Sequence, residues 1–311
     1  MTSIKKDSKI FIAGIKGMVG SACWRILSDN GYNNLIGRSS KELDLRDQNE
    51  TKLFFEKHKP DVIINAAAKV GGILANNEYP YEFLMDNMLI QNNLLSNALK
   101  YDVKKFIFLG SSCIYPKLAS QPIKEEYLLT DSLESTNQWY AIAKISGVKL
   151  IEAINKQYKK KYVSLMPTNL YGPNDNFDLN TSHVLPALIR KFYEAKKENS
   201  DVILWGSGSP LREFMYVDDL AKAILLCLEN DLPNHIYNVG SGNEISVKNL
   251  GYLIQEAIGH TGQIIWDKTK PDGTPRKLMD SSRFESLGFK AKVDLKSGIE
   301  KTYKWYLENH I

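Results

Sequence analysis

The sequence predicts a doubly wound α/β fold on a parallel sheet. Two observations carry that prediction: β-rich runs alternate with amphipathic helical stretches through the first two thirds of the chain, and the first run leads straight into a glycine-rich turn and a helix. The runs cover residues 9–13, 34–37, 61–65, 104–109 and 162–166, each apolar enough to be buried on both faces. Five parallel strands are expected. After the first, Val19, Ala22, Cys23, Ile26 and Leu27 recur at helical spacing and form one apolar stripe. Beyond Pro167 the chain turns to loops rich in Asn, Pro and Gly, with separate strand candidates at residues 202–205 and 236–239, so a smaller lobe begins there. Within it residues 218–228 put Leu220, Ile224, Cys227 and Leu228 on one helix face, which makes Cys227, like Cys23, a packing residue.

The 311 residues are 43% hydrophobic and 24% charged, an ordinary globular balance that excludes disordered and fibrous classes. Lys69 interrupts the apolar stretch 62–74 and Gly110 closes 106–109, so no membrane partner is expected. The stretch 10–15 is too short for a signal peptide and Lys16 ends it, which favours the cytoplasm. Three cysteines without C-x-x-C spacing agree with a reducing compartment and offer no metal site. A net charge of +4 is too slight to imply nucleic acid as a partner. The basic run Lys159, Lys160 and Lys161 reads as a solvated helix end.

Glycines recur three apart at Gly14, Gly17 and Gly20, with Lys16, Met18 and Val19 among them, between a strand and a helix. Such a turn lets backbone approach a pyrophosphate, and the helix start offers free N–H groups. At the end of the second strand, NAD enzymes place an acid for the ribose 2′-hydroxyl and NADP enzymes place cations for the 2′-phosphate. Here Arg38 and Lys41 stand there with no acid before Glu42, so with Lys16 the residues favour NADP, unless the cations are merely solvated.

Tyr140 and Lys144 lie four apart in a helical stretch and share one helix face. A neighbouring ammonium is expected to lower the phenol's pKa and make it a usable acid or base. The pair follows the fourth strand, whose end reads Leu109-Gly110-Ser111-Ser112-Cys113, and ligands sit at strand ends of such sheets. Ser111, Tyr140 and Lys144 in this order resemble the triad of the extended short-chain dehydrogenase/reductases, whose Rossmann-type sheet carries a smaller C-terminal substrate lobe. Longer stretches, at residues 67–73, 110–117, 166–173 and 270–277, resemble the GDP-L-fucose synthase family within that branch, the GDP-4-keto-6-deoxy-D-mannose 3,5-epimerase/4-reductases.

That resemblance implies NADPH as cofactor, GDP-4-keto-6-deoxy-D-mannose as substrate and a homodimer formed through the two long helices after strands three and four. It implies that Ser111, Tyr140 and Lys144 reduce C4, that Cys113 and His183 exchange protons at C3 and C5, and that Lys191, Trp205, Arg212, Asp272 and Lys277 bind the substrate. To the cofactor it adds Asp44, Leu45, Ala66, Ala67, Leu109, Gly110, Ser112, Pro167, Thr168, Asn169, Leu170 and His183. It places cofactor binding in residues 1–170 with about 214–243, and substrate binding in 171–213 and 244–311. Two alternatives stay open: a reductase of another GDP-4-keto sugar, such as a GDP-heptose, and a non-catalytic NADP sensor. The residues themselves leave open which of Cys113 and His183 is base and which is acid. They also leave open what would bring the Cys113 thiol to its thiolate, with Lys144 a candidate if close.

Overall fold

The computed structural model describes residues 4–270 and 272–311, so Pro271, inside the 270–277 stretch, lies outside the described residues. The chain runs from β1 (Ile10–Ala13) through α1 (Met18–Asp29) to β2 (Leu35–Arg38), then through α2 (Gln48–His58) to β3 (Val62–Asn65). Next come α3 (Ile73–Glu78), α4 (Pro80–Lys100), β4 (Lys105–Leu109), α5 (Gln138–Tyr158), β5 (Val163–Pro167) and β6 (Asn169–Tyr171). The remainder comprises α6 (Val184–Glu198), β7 (Val202–Trp205), β8 (Leu211–Tyr216), α7 (Val217–Glu229), β9 (Ile236–Val239), β10 (Glu244–Ser246) and α8 (Val247–Ile258). It ends with β11 (Ile264–Asp267), β12 (Arg276–Lys277), α9 (Ser282–Glu285) and α10 (Leu295–His310).

Alternation along each strand builds the main sheet and its two covers. Ile10, Ile12, Val62, Ile64, Ile107, Leu109 and Leu165 face one side, where Ala22, Cys23 and Leu27 of α1 and Leu220, Ile224, Cys227 and Leu228 of α7 pack on them. Phe11, Ala13, Ile63, Phe106, Phe108 and Met166 face the other, under α2, α4 and α5. All of these are buried, and each large one is worth about 1.5–3 kcal/mol. The strand order is β2-β1-β3-β4-β5-β9, parallel throughout. Six strands are therefore present where five are expected: residues 236–239, which the sequence places with the smaller lobe, pair with β5 in the main sheet. Their partner lies some seventy positions upstream, and no local pattern announces such pairing.

The connection reverses direction between β1 and β3, which opens a crevice beyond their C-terminal ends. A second sheet, β10-β8-β12 with β6 also on β8, and the pair β11-β7 stand apart from the first. A third core of Leu185, Ile189, Phe192, Leu204, Phe214, Leu250, Ile254 and Tyr306 fills the space among α6, α8, α10 and these strands. No helix among the described residues is long and apolar enough to cross a membrane.

Three lysines differ from simple surface charges. Lys105 is buried, and its ammonium donates to the carbonyls of Cys227 (2.6 Å) and Asn230 (2.8 Å), closing the C-terminal end of α7. The run 159–161, expected as a solvated end, is in part tied down. Lys160 binds the Asp102 carboxylate and donates to the Val103 carbonyl, and Lys161 pairs with Asp231 at 3.0 Å, because α5 ends beside the turn leading into β4.

Candidate active site

The turn after β1 is shaped by what cannot fit in it. Gly14 has φ +83°, and a Cβ there would lie 2.8 Å from the backbone of Ala66 and Ala67 after β3. A Cβ on Gly20 would lie 2.1 Å from the Gly14 carbonyl, so α1 packs directly on the turn. Gly17 is the N-cap of α1 and provides no side chain to its free N–H groups, and the first turn holds no acid. Those donors, including the backbone beside Met18 and Val19, stand open to an anion at the sheet's switch point. The cradle fits a dinucleotide pyrophosphate.

At the end of β2, Arg38 is half-buried while Lys16 and Lys41 are exposed. Between them the Glu42 carboxylate accepts from the Ser39 amide (2.8 Å) and the Ser39 hydroxyl (2.7 Å). These bonds hold it below the usual carboxylate range, with smaller pulls from Arg38 and Lys16. An acid therefore lies among the cations expected to meet a 2′-phosphate. Asp44 is gripped by the Arg46 guanidinium (2.8 Å), and the Leu45 carbonyl accepts from Asn93 on α4 (2.9 Å).

β4 ends at Leu109, Gly110 follows, and Ser111 caps a one-turn 3₁₀ helix, Ser112–Ile114, its hydroxyl accepting from the Cys113 amide at 3.2 Å. Beyond β5, the Thr168 amide donates to the Val239 carbonyl (3.0 Å), so residues 167–170 line the same strand-end edge. Tyr140 and Lys144 sit in the first two turns of α5, with the ammonium 5.7 Å from the Tyr140 ring centre. Lys144 is 3% exposed, donates to the Leu109 carbonyl at 2.9 Å, and is pushed down by burial to about 7. The Tyr140 phenol departs from expectation. Burial first, and the nearby Cys113 second, push it above its ordinary value, and only the Ser111 hydroxyl pulls it down. The lysine does not lower it because its own charge is weakened in the same buried place. A phenol so placed keeps its proton until a stronger base, such as the alkoxide formed from a reduced carbonyl, takes it.

Cys113 is half-exposed, and two donors converge on its sulfur: the Asn137 amide at 3.3 Å and the Lys277 ammonium at 3.5 Å. The cation beside the thiol is thus Lys277, whereas the Lys144 ammonium is spent on Leu109. His183 is the N-cap of α6 but makes no capping bond. The residue is exposed. The surrounding protein first, and Lys277 second, push the imidazole below its usual range. The loop before it is tied to the loop after β3, where the Gly72 amide donates to the Thr181 carbonyl at 2.8 Å.

Further out, Trp205 ends β7 half-exposed between two ammonium groups, Lys191 at 5.7 Å and Lys270 at 5.6 Å from its ring. The Asp272 carboxylate accepts from the Ser207 amide (2.6 Å) and hydroxyl (2.8 Å), which holds it below the usual range. Parallel pairing of β12 with β8 sets Lys277 beside Arg212. The expected residues thus fall into three neighbourhoods: the glycine turn with its ribose end, the Ser-Tyr-Lys and Cys-His pocket, and the Trp205 surface. Sequence reading missed Asn137 and Lys270. Asn137 carries a faint signal, three residues before Tyr140 at the start of α5, and Lys270 opens the 270–277 stretch, which stands out only as a whole.

Residues 10–240 match the model of the NAD dependent epimerase/dehydratase family. A putative GDP-L-fucose synthase 2 of Arabidopsis thaliana is 55% identical over 307 residues, spanning 98% of this chain and 94% of that protein. Among solved structures, a GDP-6-OMe-4-keto-L-xylo-heptose reductase from C. jejuni superposes with a TM-score of 0.94 at 36% identity, covering 98% of this chain and 99% of its own. An NADP-bound GDP-L-fucose synthetase from Naegleria fowleri superposes with a TM-score of 0.92 at 32% identity, covering 99% and 95%.

Proposed function

The chain belongs to the NAD dependent epimerase/dehydratase family, and we propose that within it the protein converts GDP-4-keto-6-deoxy-D-mannose to GDP-L-fucose, epimerising C3 and C5 and then reducing C4 with NADPH. Bound NADPH supplies the hydride. The protein supplies the rest. The N–H groups of the glycine turn take the pyrophosphate, and Lys16, Arg38 and Lys41 take the 2′-phosphate. Tyr140 gives its phenolic proton to the C4 oxygen, with Ser111 orienting that hydroxyl. Lys144, anchored on Leu109, faces the Tyr140 ring. A C4 ketone acidifies the hydrogens on C3 and C5, so Cys113 and His183 can remove and return protons there. Arg212 and Lys191 suit the diphosphate and Trp205 offers a stacking face to the base. Cofactor binding is assigned to residues 1–170 and 214–243, and sugar-nucleotide binding to 171–213 and 244–311.

The observation that carries this reading is a half-exposed thiol, held by two N–H donors, in the same pocket as the Ser-Tyr-Lys set. A plain reductase has no use for it. The likeness to the C. jejuni heptose reductase favours a second reading, reduction of another GDP-4-keto sugar without epimerisation. Turnover of GDP-4-keto-6-deoxy-D-mannose with NADPH in deuterated water separates the two. The expected product is GDP-L-fucose labelled at C3 and C5. Cys113→Ser and His183→Asn should each suppress labelling by at least about tenfold while keeping NADPH binding. A reduced, unlabelled, unepimerised product from the unmodified protein would establish the second reading instead. We further assign the protein to the cytoplasm, where its three thiols stay free, as a homodimer across α4 and α5, where Met85, Leu89 and Ile142 are exposed.

A further inference from the structure

Lys277 reaches Cys113 from 164 positions away, and its main chain is fixed on both sides. Its strand β12 pairs with β8. Just beyond, the Leu278 amide donates to the Gln121 side chain at 2.8 Å and the Leu278 carbonyl accepts from the Ile123 amide at 2.8 Å. The Met279 amide then donates to the buried Glu213 carboxylate at 3.1 Å, and the Asp280 amide to the Ile123 carbonyl at 2.8 Å. Four successive backbone or side-chain bonds hold the segment that carries one ammonium to one sulfur. Among the described residues Lys277 makes no ion pair with a carboxylate, so its charge is not spent elsewhere.

The donors on the sulfur also bear on its charge. A neutral thiol is a weak acceptor, whereas a thiolate draws N–H groups strongly. Asn137 from the start of α5 and Lys277 from β12 both aim an N–H group at it. The other groups facing this place are the Tyr140 phenol of α5, the Ser111 hydroxyl on the same loop, and the His183 ring at the start of α6, which feels the Lys277 charge. None of these is an anion. A negative charge on Cys113 therefore meets two donors and no opposing carboxylate.

We propose that Lys277 is a positioning residue for proton exchange, which with Asn137 holds Cys113 as a thiolate aimed into the pocket. This rests on the epimerase reading above. The thiolate takes a proton from a carbon beside the C4 ketone, the C–H electron pair moves onto the C4 oxygen, and the sulfur becomes a thiol. Lys277 keeps its own proton throughout. The same ammonium adds to the desolvation by surrounding protein that already disfavours an imidazolium at His183.

The test needs no sugar. Cys23 and Cys227 are wholly buried, so iodoacetamide reads Cys113 alone in the folded protein, and peptide mass spectrometry assigns the label. Alkylation of the NADPH-loaded protein is followed from pH 5.5 to 9.5 for the unmodified chain, Lys277→Met, Lys277→Arg and Asn137→Ala. Lys277→Met should slow alkylation at pH 7 about tenfold and move the midpoint of the profile up by about one pH unit. Lys277→Arg should stay within about threefold of the unmodified protein, since it keeps the charge. Asn137→Ala should lie between. An unchanged profile in Lys277→Met overturns the proposal, and so does an equal loss in Lys277→Arg, because a packing role would not distinguish charge. NADPH affinity, measured in parallel, certifies that each variant is folded. A shifted profile in a protein that failed to epimerise GDP-4-keto-6-deoxy-D-mannose would refute the substrate reading and leave the Lys277 contact standing.

Discussion

Lys144 is buried at a cost to stability. It is 3% exposed, its one hydrogen bond among the described residues is to the Leu109 carbonyl with the Phe108 ring 4.9 Å away, and burial brings it to about 7. An unfolded lysine titrates near 10.4, so between that value and about 7 the unfolded chain holds more protons than the folded one. Stability therefore rises with pH across this window, and the full penalty stands below it. Lys144→Met removes the buried charge and keeps the volume. Without cofactor, it should be more stable than the unmodified protein by about 1–3 kcal/mol at pH 6, and the two should converge towards pH 10. Urea unfolding at pH 6, 8 and 10 measures the difference, and a gap independent of pH would show that the ammonium is not the source. On the reductase reading proposed above, the variant should also lose turnover, an exchange of stability against function.

Elements with a strong period were legible in the sequence, and those defined by distant partners were not. The first five strands and α1 follow from runs and stripes within a dozen residues. β6, β10 and β12 are short, β8 carries the polar Arg212 and Glu213 near its start, and the four pair only with one another. The site divides the same way. Ser111, Tyr140 and Lys144 are tied by local spacing, whereas the Lys277 contact with Cys113 spans 164 positions and joins two different sheets. The turn after β2 lies between these cases: the sequence displays its cations, but only the structure reveals that Glu42 occupies both Ser39 donors. A 2′-phosphate must displace or repel that carboxylate, while a bare 2′-hydroxyl can use it. Glu42→Gln should therefore tighten 2′,5′-ADP binding about three- to tenfold and leave ADP binding within about twofold. Titration calorimetry with both nucleotides decides it, and equal gains for the two would remove Glu42 from cofactor choice.

At the scale of the molecule, one buried carboxylate joins the two sheets. Glu213 of β8 is fully buried, and its carboxylate accepts from the amides of Gly242 (2.8 Å), in the turn between β9 and β10, and Met279 (3.1 Å), just past β12. Its carbonyl accepts from the side chains of Thr168 (3.2 Å) and Asn169 (2.8 Å) where β5 passes into β6. Gly240 leaves room for this group, since a Cβ there would come within 2.2 Å of it. The main sheet's edge and the strand carrying Lys277 are thus clamped at one point, and the Cys113 pocket lies across that junction. Glu213→Ala leaves the buried Met279 amide and the partly buried Gly242 amide without their acceptor beside a cavity, and should cost about 2–5 kcal/mol. Glu213→Gln keeps the shape but can accept at only one oxygen, so it should cost about half as much and fold well enough to assay. The glycine turn after β1 does not touch Glu213, so NADPH affinity should hold within about twofold in Glu213→Gln. The register of β12 does depend on it. Solvent-deuterium exchange at C3 and C5 should therefore fall more steeply than the rate of hydride transfer to a GDP-4-keto sugar already epimerised. If both rates fell together, the clamp would be stabilising the fold alone, and the placement of Lys277 would owe nothing to it.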